Sequence, residues 1–62
     1  MYTKYAQLRD EKGLTDYRVA VETGIGRSTF TDWKKGRSEP KLDKLRKIAD
    51  YFNVPIEYFL EE

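Results

Sequence analysis

The sequence predicts an all-α fold, a compact domain of five short helices. Apolar side chains recur at helical spacing in several stretches, glycines and prolines separate those stretches, and no segment alternates apolar and polar residues as a strand does. A chain of 62 residues suits one small domain with a single core, and its tryptophan, five tyrosines and three phenylalanines supply large buried areas for that core. We therefore expect residues 1–62 to form a single domain.

The first helix is predicted over residues 3–12, with Thr3 as its N-cap. Tyr5 and Leu8 are three residues apart, so both would face the core. Gly13 follows the charged last turn, at the place where a glycine in left-handed backbone commonly ends a helix.

The second helix is predicted to begin at Thr15 as its N-cap, with Asp16 close to the positive end of the helix dipole. Gly24 would end this helix in left-handed backbone, and Ile25 would fill the core between it and the next helix. The core residues of the second helix are predicted to be Val19 and Ala20.

The third helix is predicted over residues 27–35, and Gly36 would stop it. Phe30 and Trp33 are three residues apart, so both would lie on the buried side of the helix. Small and polar side chains at its exposed start would suit entry into a groove. With the tight turn at residues 24–26, helices two and three are predicted to form a helix-turn-helix.

The sequence GRSEPK, residues 36–41, has the composition of a loop. The fourth helix is predicted from Pro40 or Lys41 to about Phe52, with Asn53 as a left-handed C-cap. Its apolar stripe would consist of Leu42, Leu45, Ile48, Ala49 and Phe52. A short fifth helix would start at Pro55, and its inward-facing residues would be Ile56, Phe59 and Leu60.

The composition argues against several classes of function. The chain has no cysteine and no histidine, so it offers no disulfide scaffold, no thiolate metal site and no imidazole base. We expect no metal and no cofactor. No apolar run approaches the roughly 20 residues that span a bilayer, and the N-terminus has no signal-peptide pattern. We therefore expect a cytoplasmic domain without a membrane partner.

Charge is unevenly distributed, although the net charge is only +1. Residues 27–41 carry five basic and two acidic side chains, so five minus two gives +3. Residues 42–62 carry three basic and five acidic side chains, so three minus five gives −2. Such a distribution is typical of a protein with one nucleic-acid face, but ordinary solvated charge gives the same pattern, and both interpretations stay open.

Three segments carry a resemblance to a known family: LRDEKGLT (8–15), VAVETGIGRSTFTDWKKGRSEPKLDKL (19–45) and IADYFNVPIEYFL (48–60). Together they resemble the lambda-repressor-like helix-turn-helix domain of phage repressors, Cro proteins and the bacterial XRE family. The resemblance covers nearly the whole chain. It implies that helix three lies in the major groove of double-stranded DNA.

The resemblance also implies which side chains contact DNA. The implied base contacts are Arg27, Ser28, Thr31 and Asp32. Arg27 can bind guanine N7 and O6 together, whereas Asp32 would accept from cytosine N4 or, alternatively, orient Arg27 or pair with a neighbouring lysine. The implied phosphate contacts are Thr15, Tyr17, Lys35, Arg37, Ser38 and Lys41. Tyr17 has an alternative interpretation as a core aromatic.

Two positions depart from the family pattern. Many relatives place Ser or Thr where Gly26 stands, and glycine is the weaker N-cap. Many also place an acid at the position of Lys34, where it pairs with the arginine that corresponds to Arg9. Arg9 must therefore find another partner or face a phosphate.

The function implied is that of a sequence-specific transcriptional regulator, in particular a phage or prophage-type repressor. Such proteins bind near-palindromic operators as homodimers, with Tyr58 as a candidate interface residue or an edge-of-core tyrosine. The chain would be a complete Cro-like protein or the N-terminal domain of a longer repressor. A helical protein-interaction module is the alternative, and it predicts an apolar exposed face on helix three. An enzyme has almost no suitable residues here.

Overall fold

The computed structural model describes residues 1–60, which form five α-helices and no strand. The helices are α1 (Tyr2–Glu11), α2 (Asp16–Thr23), α3 (Arg27–Lys34), α4 (Leu42–Phe52) and α5 (Glu57–Leu60). The predicted all-α class is confirmed. None of these helices is long and apolar enough to cross a membrane. Glu61 and Glu62, which were counted in the acidic end of the chain, lie outside the described residues.

Helix α1 starts one residue earlier than the sequence predicts, and Thr3 is not its cap. Met1 occupies the N-cap position without a side-chain hydrogen bond, and its carbonyl accepts from the Tyr5 amide at 3.1 Å. Because Thr3 already lies inside the first turn, its hydroxyl is not placed to cap that turn. The helix ends at Glu11, one residue earlier than predicted, with Lys12 as its C-cap, and Gly13 then takes left-handed backbone with a φ of 67°, as its position predicts.

Both ends of α2 are as the sequence predicts. The side chain of Thr15 accepts a hydrogen bond from the Arg18 amide at 3.1 Å and so caps the helix. Gly24 takes left-handed backbone with a φ of 78°, and its amide donates to the Ala20 carbonyl at 2.9 Å. Ile25 then turns into the core, where only 2% of it is exposed. The turn between α2 and α3 is therefore set by one glycine and one apolar residue.

A cluster of aromatic side chains holds the centre of the core. Tyr5 of α1 contacts Phe30 of α3, with ring centroids 5.2 Å apart, and Phe52 of α4 at 6.0 Å. Trp33 packs edge-on against Phe30 at 5.0 Å. Helix α2 packs on α3 and α4, and α5 packs on α1. The remaining buried residues are Leu8, Val19, Ala20, Ile25, Leu45, Ile48, Ala49 and Phe59.

Two predicted core residues are wrong. Leu42 is 60% exposed, because it is the first residue of α4 and side chains of a helix lean towards its N-terminus, here beyond the end of the buried stripe. Leu60 is 62% exposed, because the single turn of α5 directs Phe59 inward and leaves the next residue on another face. Asn53, as predicted, ends α4 in left-handed backbone with a φ of 58°.

Larger side chains at Gly24 and Gly26 should change the free energy of unfolding in opposite directions. A Cβ on Gly24 would meet no atom within 4 Å, but its φ of 78° strains any other residue, so Gly24→Ala should cost about 1–2 kcal/mol of unfolding free energy. Gly26 has an ordinary φ of −64° at the N-cap of α3, so Gly26→Ser should add a few tenths of a kcal/mol. Urea unfolding curves measure both changes. Equal losses in the two variants would contradict this account of the turn.

Candidate nucleic-acid interface

Helix α3 has one buried and one exposed face. Phe30 and Trp33 are 0% and 6% exposed, as their spacing predicts. Arg27, Ser28 and Thr31 are all exposed to solvent. The aromatic side chains of the helix are therefore buried in the core, and an arginine and two hydroxyl groups face solvent.

The start of α3 has no side-chain cap. Gly26 occupies the N-cap position in extended backbone, and its carbonyl accepts from the Thr29 amide at 3.1 Å. Ser28 makes no capping hydrogen bond, although it lies close to the helix start. This agrees with the weak cap that the sequence indicates.

Arg27 lies beside the aromatic ring of Tyr17, which precedes it on α2. The guanidinium carbon of Arg27 is 5.0 Å from the ring centroid, which is within the range of a cation–π interaction. Tyr17 is 58% exposed, so the alternative interpretation of this residue as a core aromatic is wrong. A predicted base contact and a predicted phosphate contact are thus brought together across the turn.

Asp32 pairs with Arg37 of the following loop, at 3.5 Å between Oδ1 and Nη1. Within residues 1–60, neither Arg27 nor a lysine forms an ion pair with Asp32, so the partners suggested for its alternative role are wrong. The two side chains are 43% and 64% exposed, and an ion pair in such a setting contributes little to stability. The effect of the pair is electrostatic and local, because the Arg37 cation partly offsets the negative charge of Asp32 on α3.

The other predicted phosphate contacts lie at two places on the surface. Thr15 is at the start of α2, where its hydroxyl oxygen accepts from the backbone and its proton remains available for donation. The second place is the loop between α3 and the first turn of α4, where all four candidates are exposed. These four are Lys35, Arg37, Ser38 and Lys41.

Arg9 finds its partner in Asp16, a pair that sequence reasoning missed. Nη1 of Arg9 is 2.8 Å from Oδ1 of Asp16, and the hydroxyls of Tyr5 and Tyr2 donate to the same carboxylate at 2.6 and 3.1 Å. The same guanidinium also pairs with Asp10 at 3.1 Å. The sequence held a signal, since an acid at the first turn of α2 closely follows an arginine that lacks its usual partner. This network ties α1 to the start of the helix-turn-helix.

The network shifts the pKa values of its members. Burial acts to raise the pKa of Asp16, but hydrogen bonds from Tyr5, Arg9 and Tyr2 act against it, and the pKa is lowered overall. The pKa of Tyr5 is raised, first by burial and then by its hydrogen bond to the Asp16 carboxylate. Asp16 is thus held in its charged form, which is the form that binds Arg9.

A second polar contact joins α2 to α4. The hydroxyl of Tyr51 donates to Glu22, and Arg18 pairs with the same carboxylate from one turn earlier on α2. The hydrogen bond from Tyr51 and then that from Arg18 lower the pKa of Glu22. Together with the Asp16 network, this contact fixes α2 against two other helices.

The arrangement of α2, the Gly24–Gly26 turn and α3 defines a helix-turn-helix domain. Comparison with known proteins agrees, since the family described as helix-turn-helix matches residues 6–59. The chain belongs to the XRE family of helix-turn-helix proteins. The domains of this family bind DNA in transcription regulation and are not enzymes.

Three similar proteins are regulators of this kind. The cryptic phage CTXphi transcriptional repressor RstR of Vibrio cholerae is 37% identical over 54 residues, which cover 87% of this chain and 49% of the repressor. The transcriptional activator BcrR of Enterococcus faecalis is 32% identical over 57 residues, covering 92% of this chain and 28% of the activator. An uncharacterised regulator of Archaeoglobus fulgidus is 35% identical over 57 residues, which cover 92% of this chain and 81% of that regulator.

The chain thus spans about half of the length of the phage repressor and less than a third of the activator. No solved structure matches the chain.

The Asp16 network should make stability depend on pH. Because the pKa of Asp16 is lower in the folded chain than in the unfolded chain, its stabilisation is complete above the ordinary aspartate pKa of about 3.9. It is lost as pH falls through the lower, folded value. Asp16→Asn should cost about 1–2 kcal/mol at neutral pH and flatten the acid side of the stability profile.

Thermal or urea unfolding between pH 7 and pH 2 measures this effect. Asp43→Asn is the matched control, because Asp43 is also an acid in a first helical turn and has no ion pair within residues 1–60. The control should keep the acid dependence of the original chain. Parallel profiles for Asp16→Asn and the original chain would contradict the role given to Asp16.

Proposed function

We propose that this domain belongs to a phage or prophage-type repressor and that α3 reads base edges in the major groove of double-stranded DNA. The observation that carries the proposal is the division of α3, whose aromatic side chains are buried while Arg27, Ser28 and Thr31 face solvent. The similarity to a phage repressor supports the repressor role. In this proposal residues 1–62 act as one DNA-binding domain.

The base contacts divide by chemistry. The Arg27 guanidinium binds guanine N7 and O6 with two parallel hydrogen bonds, and Ser28 donates to or accepts from a neighbouring base edge. Thr31, one turn further along α3, offers a hydroxyl and a methyl group that suits thymine. Asp32 accepts from cytosine N4, with Arg37 beside it to offset the repulsion between its carboxylate and the phosphates.

Phosphate contacts hold the domain on either side of the groove. Thr15 and Tyr17 donate hydroxyl protons from the start of α2, whereas Lys35, Arg37, Ser38 and Lys41 contact the backbone from the loop after α3. All six side chains are exposed, and three of them, Lys35, Arg37 and Lys41, are positively charged, which supports this assignment. Such contacts fix the position of the reading helix and make affinity depend on salt.

The domain binds as a homodimer to a near-palindromic operator, with half-sites about one helical turn, ~34 Å, apart. Helix α5 supplies the dimer contact. Leu60 is 62% exposed there, and Tyr58 is half-buried, with the Lys4 ammonium 5.2 Å from the centroid of its ring. An exposed leucine beside a half-buried tyrosine offers apolar surface that a second copy can cover.

The alternative, a protein-interaction module, requires an apolar exposed face on α3. The exposed positions of that helix instead carry Arg27, Ser28 and Thr31. The polar face favours DNA as the partner.

Selection of bound duplexes from a random DNA pool should yield two inverted half-sites spaced by about one helical turn. Arg27→Ala should cost about 1–3 kcal/mol on the selected operator and remove the preference at one base position of each half-site. Arg46→Ala is the control, because this exposed arginine lies on α4 outside the proposed contacts, and it should leave the preference unchanged. If Arg27→Ala weakens all sequences equally, Arg27 contacts a phosphate and not a base.

Binding should also weaken as salt rises, with a linear dependence of log affinity on log salt. Lys41→Ala should reduce that slope by about one, because one phosphate contact is lost. Lys47→Ala removes the same charge from α4 at a position outside the proposed contacts, and it should change the slope less. Titrations of one duplex at several salt concentrations compare the two, and an equal slope change in both variants would refute the assignment of Lys41.

A further inference from the structure

Arg27 is held differently from three other arginines of the domain. Arg9, Arg18 and Arg37 each pair with a carboxylate, at distances of 2.5 to 3.5 Å. Arg27 makes no ion pair within residues 1–60, and its guanidinium lies over the Tyr17 ring at 5.0 Å. The arginine proposed to read a base is therefore restrained by an uncharged group.

The choice of restraint matters for recognition. A carboxylate would neutralise the guanidinium and occupy the N–H donors that guanine needs. A ring attracts the cation through its quadrupole and requires no hydrogen bond, so the charge and the donors of Arg27 stay available. Restricting the long side chain before binding also lowers the entropy lost when DNA is bound.

The ring itself stands on a fixed part of the fold. Tyr17 directly follows Asp16, whose carboxylate is held by Arg9, Tyr5 and Tyr2. The start of α2 is further fixed by the Thr15 cap. The Tyr17 side chain is 58% exposed and lies outside the core. Core packing therefore does not require a tyrosine at this position, and its ring is available for a surface contact.

We propose that Tyr17 is a positioning residue for Arg27, whose ring holds the guanidinium ready for guanine across the helix-turn-helix. The inference rests on the proposed base-reading role of Arg27. It adds a specificity determinant on α2, separate from any contact between the Tyr17 hydroxyl and a phosphate.

The contact can be tested first without DNA. In NMR spectra of the free domain, the Arg27 side-chain protons should shift upfield through the ring current in the original chain and in Tyr17→Phe. The shift should disappear in Tyr17→Leu. Circular dichroism confirms that the variants remain folded, which their exposed position favours. Unchanged Arg27 resonances in Tyr17→Leu would overturn the positioning role, whatever happens with DNA.

The second test compares two duplexes. One is the selected operator, and the other is the same duplex with another base in place of the guanine that Arg27 is proposed to contact. Tyr17→Leu should reduce the affinity ratio between these duplexes about two- to five-fold, the effect of an exposed cation–π contact. Tyr17→Phe should keep the full ratio, even if loss of its hydroxyl weakens both duplexes together. In an Arg27→Ala background, Tyr17→Leu should no longer change the ratio.

The outcomes separate the two proposals. If Arg27→Ala lowers the ratio but Tyr17→Leu leaves it unchanged, the positioning role is wrong and the reading role of Arg27 stands. If Tyr17→Leu and Tyr17→Phe lower the ratio equally, the hydroxyl and not the ring is responsible, and the positioning role is again wrong. If Arg27→Ala leaves the ratio unchanged while the NMR shift is present, base reading by Arg27 fails and the ring contact has only a structural role.

Discussion

The Asp16 carboxylate fixes the place of the helix-turn-helix on the rest of the domain. It lies at the first residue of α2 and binds Arg9, Tyr5 and Tyr2, all from α1. Tyr5 also reaches the centre of the core, where it contacts Phe30 of α3. One side chain on α1 thus connects the start of α2 with the buried face of α3, and the orientation of both helices depends on this junction.

Much of the fold could be predicted from the sequence, because the strongest signals are local. Gly24 and Asn53 take left-handed backbone as their positions predict, and Thr15 caps α2 through its own side chain. The errors arise at helix ends. Leu42 and Leu60 fit an apolar pattern, but Leu42 is the first residue of α4 and leans beyond its buried stripe, and Leu60 ends the single turn of α5. A periodic pattern gives the direction of a side chain, whereas burial also needs a neighbour.

The candidate site was harder to predict, because its contacts cross between elements. Spacing on α3 was enough to separate the buried Phe30 and Trp33 from the exposed positions. It could not give the partner of Asp32, which lies in the loop, or place Arg27 over Tyr17, which lies on another helix. Arg9 lacked its usual acid, and only the packing of α1 on α2 reveals the substitute. Charge partners depend on tertiary geometry that a single sequence does not state.

The two faces of α3 have a consequence for how such domains diverge. Phe30 and Trp33 carry the link to the core, while Arg27, Ser28 and Thr31 make no side-chain hydrogen bond or ion pair within residues 1–60. Substitutions on the outer face therefore leave the core packing intact, because surface substitutions that remove no such contact usually change stability by less than about 0.5 kcal/mol. Mutations can therefore change the exposed side chains of α3 without unfolding the domain. Relatives can keep the same fold while these exposed residues diverge.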